Sequence, residues 1–186
     1  MQVRITPGTA YGSVMAPPSK SMSHRLLICA GLSKGQSIIH GISACDDVLA
    51  TMDCLRAMGA ECSLDGDCAI IRGIDARTAC PQEAMRCRES GSTLRFLIPT
   101  ALLCGHSVLF IGAHSLMQRP MHVYSELCQK NKMYFHSDGD QIIVRGPLQA
   151  GNYHLVGNVS SQFISGLLFA LPLAEGGKSY RHYLSY

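Results

Sequence analysis

Three segments at nearly equal spacing each set a hydroxyl-rich turn at the start of an apolar stretch: Ser19-Lys20-Ser21, Ser90-Gly91-Ser92-Thr93 and Ser160-Ser161-Gln162. From Ser21 to Ser92 is 71 residues, and from Ser92 to Ser161 is 69. A second echo keeps the period. Asp65-Gly66-Asp67 leading to Arg72-Gly73 returns 73 residues later as Asp138-Gly139-Asp140 leading to Arg145-Gly146. Repetition at this length means one supersecondary unit copied along the chain, with its helix starts in equivalent places. A helix start offers unpaired N–H groups and the positive end of the helix dipole, so several together make an anion site.

Within the first unit the spacing predicts a strand at Gly12–Ala16, stopped by Pro17-Pro18, then a helix from about Ser21 to Leu32. A strand at Ser37–His40 follows, then a helix over Val48–Met58 that Asp46-Asp47 cap and charge and Gly59 closes. Glu61–Leu64 and Cys68–Arg72 flank the Asp-Gly-Asp turn as a hairpin. The second unit repeats this order: strand Ala84–Cys87, helix Gly91–Cys104, strand Ser107–Ile111, and a helix opened by Arg119-Pro120 that runs to about Lys130. Its hairpin pairs Met133–His136 with Gln141–Val144. A third unit opens with a strand at Tyr153–Val156 and a helix over Ser160–Ala174. The expected class is therefore α/β, of the α+β type, with βαβαββ units at 14–80 and 81–150, a partial unit at 151–176, and an atypical tail at 177–186. A unit that stops partway leaves an apolar face uncovered, so the chain is expected to be part of something longer.

Bulk properties narrow the function classes. With 47% hydrophobic and 16% charged residues the 186-residue chain is a folding chain, not a disordered one. A net charge of +3, with no run of three Lys or Arg, excludes the basic footprint of a nucleic-acid binder. Nine cysteines include no C-x-x-C pair, so they read as structural thiols of a reducing, cytoplasmic setting. The eight histidines show no H-E-x-x-H, and no metal site is expected. The most apolar run, Phe96–Leu103, contains Pro99 and falls far short of the ~20 residues that cross a membrane.

Charge placement is more informative than charge total. Lys20 and Arg25 fall in the first turns of the first helix, and Arg95 falls just inside the matching helix of unit two. Cations there oppose the helix dipole at a cost of roughly 0.3–1 kcal/mol each. They serve a bound phosphate or carboxylate, or else they reach solvent or pair with a carboxylate such as Glu89. Gly91 lets backbone approach a ligand, Ser160 suits a helix cap, and Arg119 stands at a helix entry with its guanidinium free. Asp46, Asp47 and Asp53 read as capping and surface charge.

Four stretches carry a resemblance: Pro18-Ser19-Lys20-Ser21-Met22-Ser23-His24-Arg25, Glu89-Ser90-Gly91-Ser92-Thr93-Leu94-Arg95-Phe96, Gln118-Arg119-Pro120 and Ser160-Ser161-Gln162-Phe163-Ile164-Ser165-Gly166. They resemble the enolpyruvyl transferase family, and the likeness runs nearly the whole chain, to about Gly176. The resemblance implies two similar domains, each of three βαβαββ copies with parallel helices inside, closing around substrates. Residues 1–13, with a strand around Val3-Arg4-Ile5, would belong to the second domain. It implies transfer of the enolpyruvyl group of phosphoenolpyruvate to shikimate 3-phosphate, with no metal or organic cofactor. By motif, Lys20, Ser21, Arg25, Ser160, Ser161 and Gln162 would hold shikimate 3-phosphate. Lys20, Gly91, Arg119 and Gln162 would hold phosphoenolpyruvate, with Arg95 in support.

The catalytic carboxylate of the family would lie in the second domain, so no catalytic residue is assigned in this chain. Alone it is expected to be inactive or nearly so, with the missing domain or a complementing chain as its partner. Two alternatives stay open. One is the UDP-N-acetylglucosamine branch, whose first motif has a Lys-Asn pair where this chain has Lys20-Ser21. The other is a noncatalytic fragment or binding module.

Overall fold

A computed structural model describes residues 3–4, 6–9, 11–77, 80–155 and 158–175. In unit one, α1 (Lys20–Gly31) starts where Ser19 Oγ accepts the Met22 N–H at 3.3 Å. After β1 (Gly35–Ile39) comes α2 (Asp46–Ala57), which turns Val48, Ala50, Thr51, Met52, Cys54 and Leu55 inward. Gly59 follows at φ +103°, the left-handed position that stops a helix without a Cβ clash. β2 (Glu61–Asp65) and β3 (Cys68–Gly73) then pair antiparallel, with Asp65 opposite Cys68. The sheet order is β1-β3-β2.

Unit two runs β4 (Met85–Arg86), α3 (Gly91–Ala101), β5 (Val108–Ile111), α4 (His114–Met117), α5 (His122–Lys130), β6 (Tyr134–Ser137) and β7 (Gln141–Arg145). Its sheet order is β4-β5-β7-β6, so the last three strands repeat the pattern of unit one. β4 adds a strand parallel to β5, anchored by Met85 at 0% exposure. The third unit contributes α6 (Ser161–Ala170) and a 3₁₀ turn at Leu171–Leu173. Among the described residues no helix is long and apolar enough to cross a membrane.

Several expectations are corrected. Gly12–Ala16 forms no strand, and Val14 and Met15 are 94% and 96% exposed. A strand exists only against a partner edge, and none of the described strands lies beside this segment. Tyr153 and Leu155 are buried but likewise make no ladder, and Val156 lies outside the described residues. Asp46 and Asp47 do not cap α2. Its N-cap is Cys45, and the two carboxylates occupy the first turn, where they complement the dipole. Arg119-Pro120 does not open a helix either: it lies in the turn between α4 and α5. Val3 is 70% exposed and in no strand, whereas Ile5 and the tail from Gly176 onward lie outside the described residues.

The core is organised around α3, which buries Gly91, Thr93, Leu94 and everything from Phe96 to Ala101. Side helices bridge it to its neighbours. Thr51 of α2 reaches both His24 of α1 and Thr93 of α3, while Tyr124 of α5 bonds carbonyls of α3 and α6. Pro99 inside α3 has no N–H for the Arg95 carbonyl one turn earlier. Tyr124 Oη donates its one hydrogen to that carbonyl at 2.6 Å and lies 3.0 Å from Phe163 O, so the gap left by proline is filled by a side chain. Tyr124 is fully enclosed, and burial pushes its phenol well above the ordinary range, which keeps it a donor.

Candidate functional site

α1, α3 and α6 all begin under a serine cap. Ser19, Ser90 and Ser160 accept the N–H groups of Met22, Thr93 and Gln162 at 3.3, 3.2 and 3.3 Å. Using the serine oxygen this way satisfies one N–H at each start and leaves the others facing outward. Contacts join the starts of the helices to one another. The Lys20 ammonium pairs with the Asp47 carboxylate at the start of α2. Thr93 Oγ1 reaches the Asp47 carbonyl at 3.4 Å. Ser92 Oγ accepts from Gln162 Nε2 at 2.8 Å, linking α3 to α6. The parallel helices therefore present their positive ends on one face.

Three guanidinium groups sit on that face. Arg25 Nη1 donates to Ser21 O at 2.9 Å and to Ser21 Oγ at 2.5 Å, and its Nη2 reaches Ser165 Oγ of α6 at 3.4 Å. Its guanidinium also lies 5.0 Å from the centre of the Phe96 ring. Arg95 Nη1 donates to Gln162 Oε1 at 2.8 Å, and its Nε is a buried donor with no partner among the described residues. Arg119 lies against Gly91 so closely that a Cβ added there would stand 2.7 Å from Arg119 Nη1 and 3.3 Å from Arg95 Nη1. Among the described residues none of these three arginines has an ion pair. Burial and the neighbouring Arg119 charge lower the pKa of Arg95, the direction expected of a cation waiting for a counter-charge.

The α2 carboxylates Asp46, Asp47 and Asp53 are engaged. Asp47 holds Lys20, and its hydrogen bond raises the Lys20 pKa. Asp46 and Asp53 are bound by Arg88 at 3.4 and 2.7 Å, which ties α2 to unit two. Lys20 thus follows the plain alternative of pairing with a carboxylate, although its side chain stays 55% exposed. Ser161 is exposed, and its carbonyl accepts from Ser165 Oγ at 3.2 Å. Ser21, Arg25, Gly91, Arg119, Ser160, Ser161 and Gln162 stand together on the face; Lys20 is at its edge, turned to Asp47.

Sequence reasoning misses the buried polar residues behind the face, His24 and Thr51, and the role of Asp47 as the partner of Lys20. Thr51 lies four residues after Asp47 and so on the same side of α2, which was the available signal. A hollow of about 510 Å³ lies beyond the far end of α3, lined by Leu103, Pro147, Leu148 and Leu173. Its one cation, Arg77, is already paired with Asp75. The unpaired arginines are on the open face instead. No group of three or more His, Cys, Asp or Glu among the described residues could hold a metal.

Comparison with known proteins agrees with this architecture. The family model for EPSP synthase (3-phosphoshikimate 1-carboxyvinyltransferase) matches residues 6–183. A 3-phosphoshikimate 1-carboxyvinyltransferase from Clostridium perfringens is 43% identical over 176 residues, covering 94% of this chain and 42% of that protein. One from Clostridioides difficile is 38% identical over 184 residues, covering 93% of this chain and 42% of its own length. The solved EPSP synthase of Acinetobacter baumannii superposes with a TM-score of 0.76 at 25% identity, over 89% of this chain and 39% of that one. The enolpyruvyl transferase NikO from Streptomyces tendae shares the fold, with a TM-score of 0.56 at 15% identity over 82% of this chain and 36% of its own. The chain spans about 42% of the length of the curated relatives it matches. A repeated α/β unit, helix starts gathered on one face and a family match over nearly every residue lead to one conclusion: the chain belongs to the EPSP synthase family.

Proposed function

We propose that this chain supplies the shikimate 3-phosphate side, and part of the phosphoenolpyruvate side, of an enolpyruvyl transfer site. The reaction adds the 5-hydroxyl of shikimate 3-phosphate to phosphoenolpyruvate and then eliminates phosphate. It is a step toward aromatic compounds and is placed in the cytoplasm, a setting that nine free thiols suit. Lys20, Ser21, Arg25, Ser160, Ser161 and Gln162 would hold shikimate 3-phosphate. Lys20, Gly91, Arg119 and Gln162 would hold phosphoenolpyruvate, with Arg95 orienting Gln162.

One observation carries the reading: three arginines from separate segments converge on helix starts with no carboxylate partner among the described residues. Like charges held near each other are stabilised by an anion, and both substrates carry phosphate. Asp46, Asp47 and Asp53 are engaged by Lys20 and Arg88, and the family's proton-accepting carboxylate would belong to the second domain. Turnover therefore requires residues that the longer relatives provide. The chain alone binds and does not turn over.

Calorimetry tests this. The chain is expected to bind shikimate 3-phosphate and not shikimate or UDP-N-acetylglucosamine. Arg25→Met keeps the apolar stem over Phe96 and removes the charged donors, so affinity should fall roughly 10- to 100-fold. Equal binding by Arg25→Met, or none by the parent chain, overturns the reading. A second prediction concerns Gly91→Ala. The atom its Cβ meets is the flexible end of Arg119, so stability should change by less than about 0.5 kcal/mol. Affinity for phosphoenolpyruvate should drop about tenfold while affinity for shikimate 3-phosphate holds. Matched urea melts and titrations separate the two effects.

A further inference from the structure

Behind the cationic face runs a line of four polar side chains that the substrate contacts do not use. His24 Nδ1 lies 2.7 Å from Thr51 Oγ1, joining α1 to α2. Thr51 Oγ1 lies 2.7 Å from Thr93 Oγ1, joining α2 to α3. Thr93 Oγ1 lies 2.7 Å from Ser90 Oγ, the oxygen that caps α3. His24, Thr51 and Thr93 are 0% exposed and Ser90 is 1% exposed. Cohesion alone does not call for such a line, because apolar side chains would pack these helices without desolvating polar groups. It is kept even though it leaves His24 Nε2 buried with no partner among the described residues.

The hydrogen-bond sense is set at the Ser90 end. Ser90 Oγ already accepts the Thr93 N–H, and the Thr93 hydroxyl donates to the same oxygen. The Thr51–Thr93 and His24–Thr51 pairs accommodate a donor on either side, their sense being set by the imidazole tautomer. A proton on Nδ1 leaves the buried Nε2, which has no partner among the described residues, as a bare lone pair, the cheaper of the two ways to bury it.

We propose that His24 and Thr51 are positioning residues: they lock the start of α1 to the cap of α3 and so hold the two halves of the cationic face in register. Lys20, Ser21 and Arg25 ride on α1; Gly91 and Ser92 follow directly from Ser90. Without the line, each helix keeps its own cap but not its setting against the other. The consequence for ligands rests on the function proposed above, whereas the coupling of the two helix starts does not.

The test uses the full chain with Thr51→Val, which keeps shape and removes the hydroxyl, together with His24→Leu and His24→Asn. Asn carries a donor near the Nδ1 position. Backbone amide resonances and hydrogen exchange at Gly91, Ser92 and Thr93 are followed by NMR, and shikimate 3-phosphate affinity by calorimetry. Thr51→Val and His24→Leu are expected to speed exchange at these amides at least fivefold and to weaken binding about tenfold. His24→Asn should stay within about twofold of the parent on both measures. Unchanged amides at the α3 start in a folded Thr51→Val overturn the proposal, as does a His24→Asn variant as impaired as His24→Leu. If the parent chain binds no shikimate 3-phosphate, the functional reading fails, and the amide data still decide whether the two helix starts are coupled. Should His24→Leu not fold, Thr51→Val decides alone.

Discussion

Gly166→Ala destabilises this chain by about 3 kcal/mol or more and leaves it largely unfolded under conditions where the parent is native. α6 crosses α3 at Gly166, where an added Cβ would overlap Tyr124 Oη and the Arg95 carbonyl and stand 3.2 Å from Pro99 Cγ. None of these atoms is the free end of a flexible side chain. The Arg95 carbonyl is backbone, Pro99 is a ring within a helix, and Tyr124 is fully enclosed with its hydroxyl held between two carbonyls. Relief requires α6 to lift away, which also uncovers Phe163 and Leu167, buried at 0% and 3% exposure. Each such side chain contributes ~1.5–3 kcal/mol when fully buried. Urea denaturation followed by circular dichroism measures the effect. A midpoint equal to that of the parent would show that α6 is not held to α3 in this way.

Acid weakens the fold through a single histidine. Burial lowers the His24 pKa to about 4 from the ordinary 6.5, and Lys20 and Arg25 push the same way while Asp47 opposes them. The unfolded chain takes up this proton as pH falls through 6.5, and the folded chain resists until about 4. Stability is therefore complete above the upper value and declines across the window between the two. Below the lower value this group causes no further loss. A gap of this size corresponds to ~3 kcal/mol at 1.36 kcal/mol per unit. Stability measured in urea at intervals from pH 7 to pH 4 should show this slope in the parent chain and lose most of it in His24→Asn. A parent with no slope across that window would mean that His24 is charged or solvated in the native state.

What the residue string conveys depends on the range of the interaction. The starts of α1, α3 and α6 are legible because each is a local event: a serine, two or three free N–H groups and an apolar run within one turn. The Asp-Gly-Asp hairpins and the stop at Gly59 are local in the same sense. The segment around Val14 shows where this fails, because a strand-competent stretch becomes a strand only beside a partner that its own sequence does not specify. The cations Arg25 and Arg95 stand out in the sequence because positive charge is unusual in the first turns of a helix, whereas Arg119 reaches Gly91 from the turn between α4 and α5. Lys20 against Asp47 and His24 against Thr51 bring together residues 27 positions apart on different helices, and no periodicity encodes that pairing. The repeat foretold which helix starts would meet; it did not foretell which side chains would pair behind them.

The proline within α3 carries a consequence for how the molecule assembles. Helices normally complete their own ladder and dock afterwards, but here the Arg95 carbonyl waits for a phenol 29 residues further along the chain. The central rod is thus finished by its neighbour. A peptide cut to the length of α3 would fray at that gap, and during folding the rod gains its last bond only as α5 arrives. Full pairing of α3 accordingly needs two segments 29 residues apart in sequence.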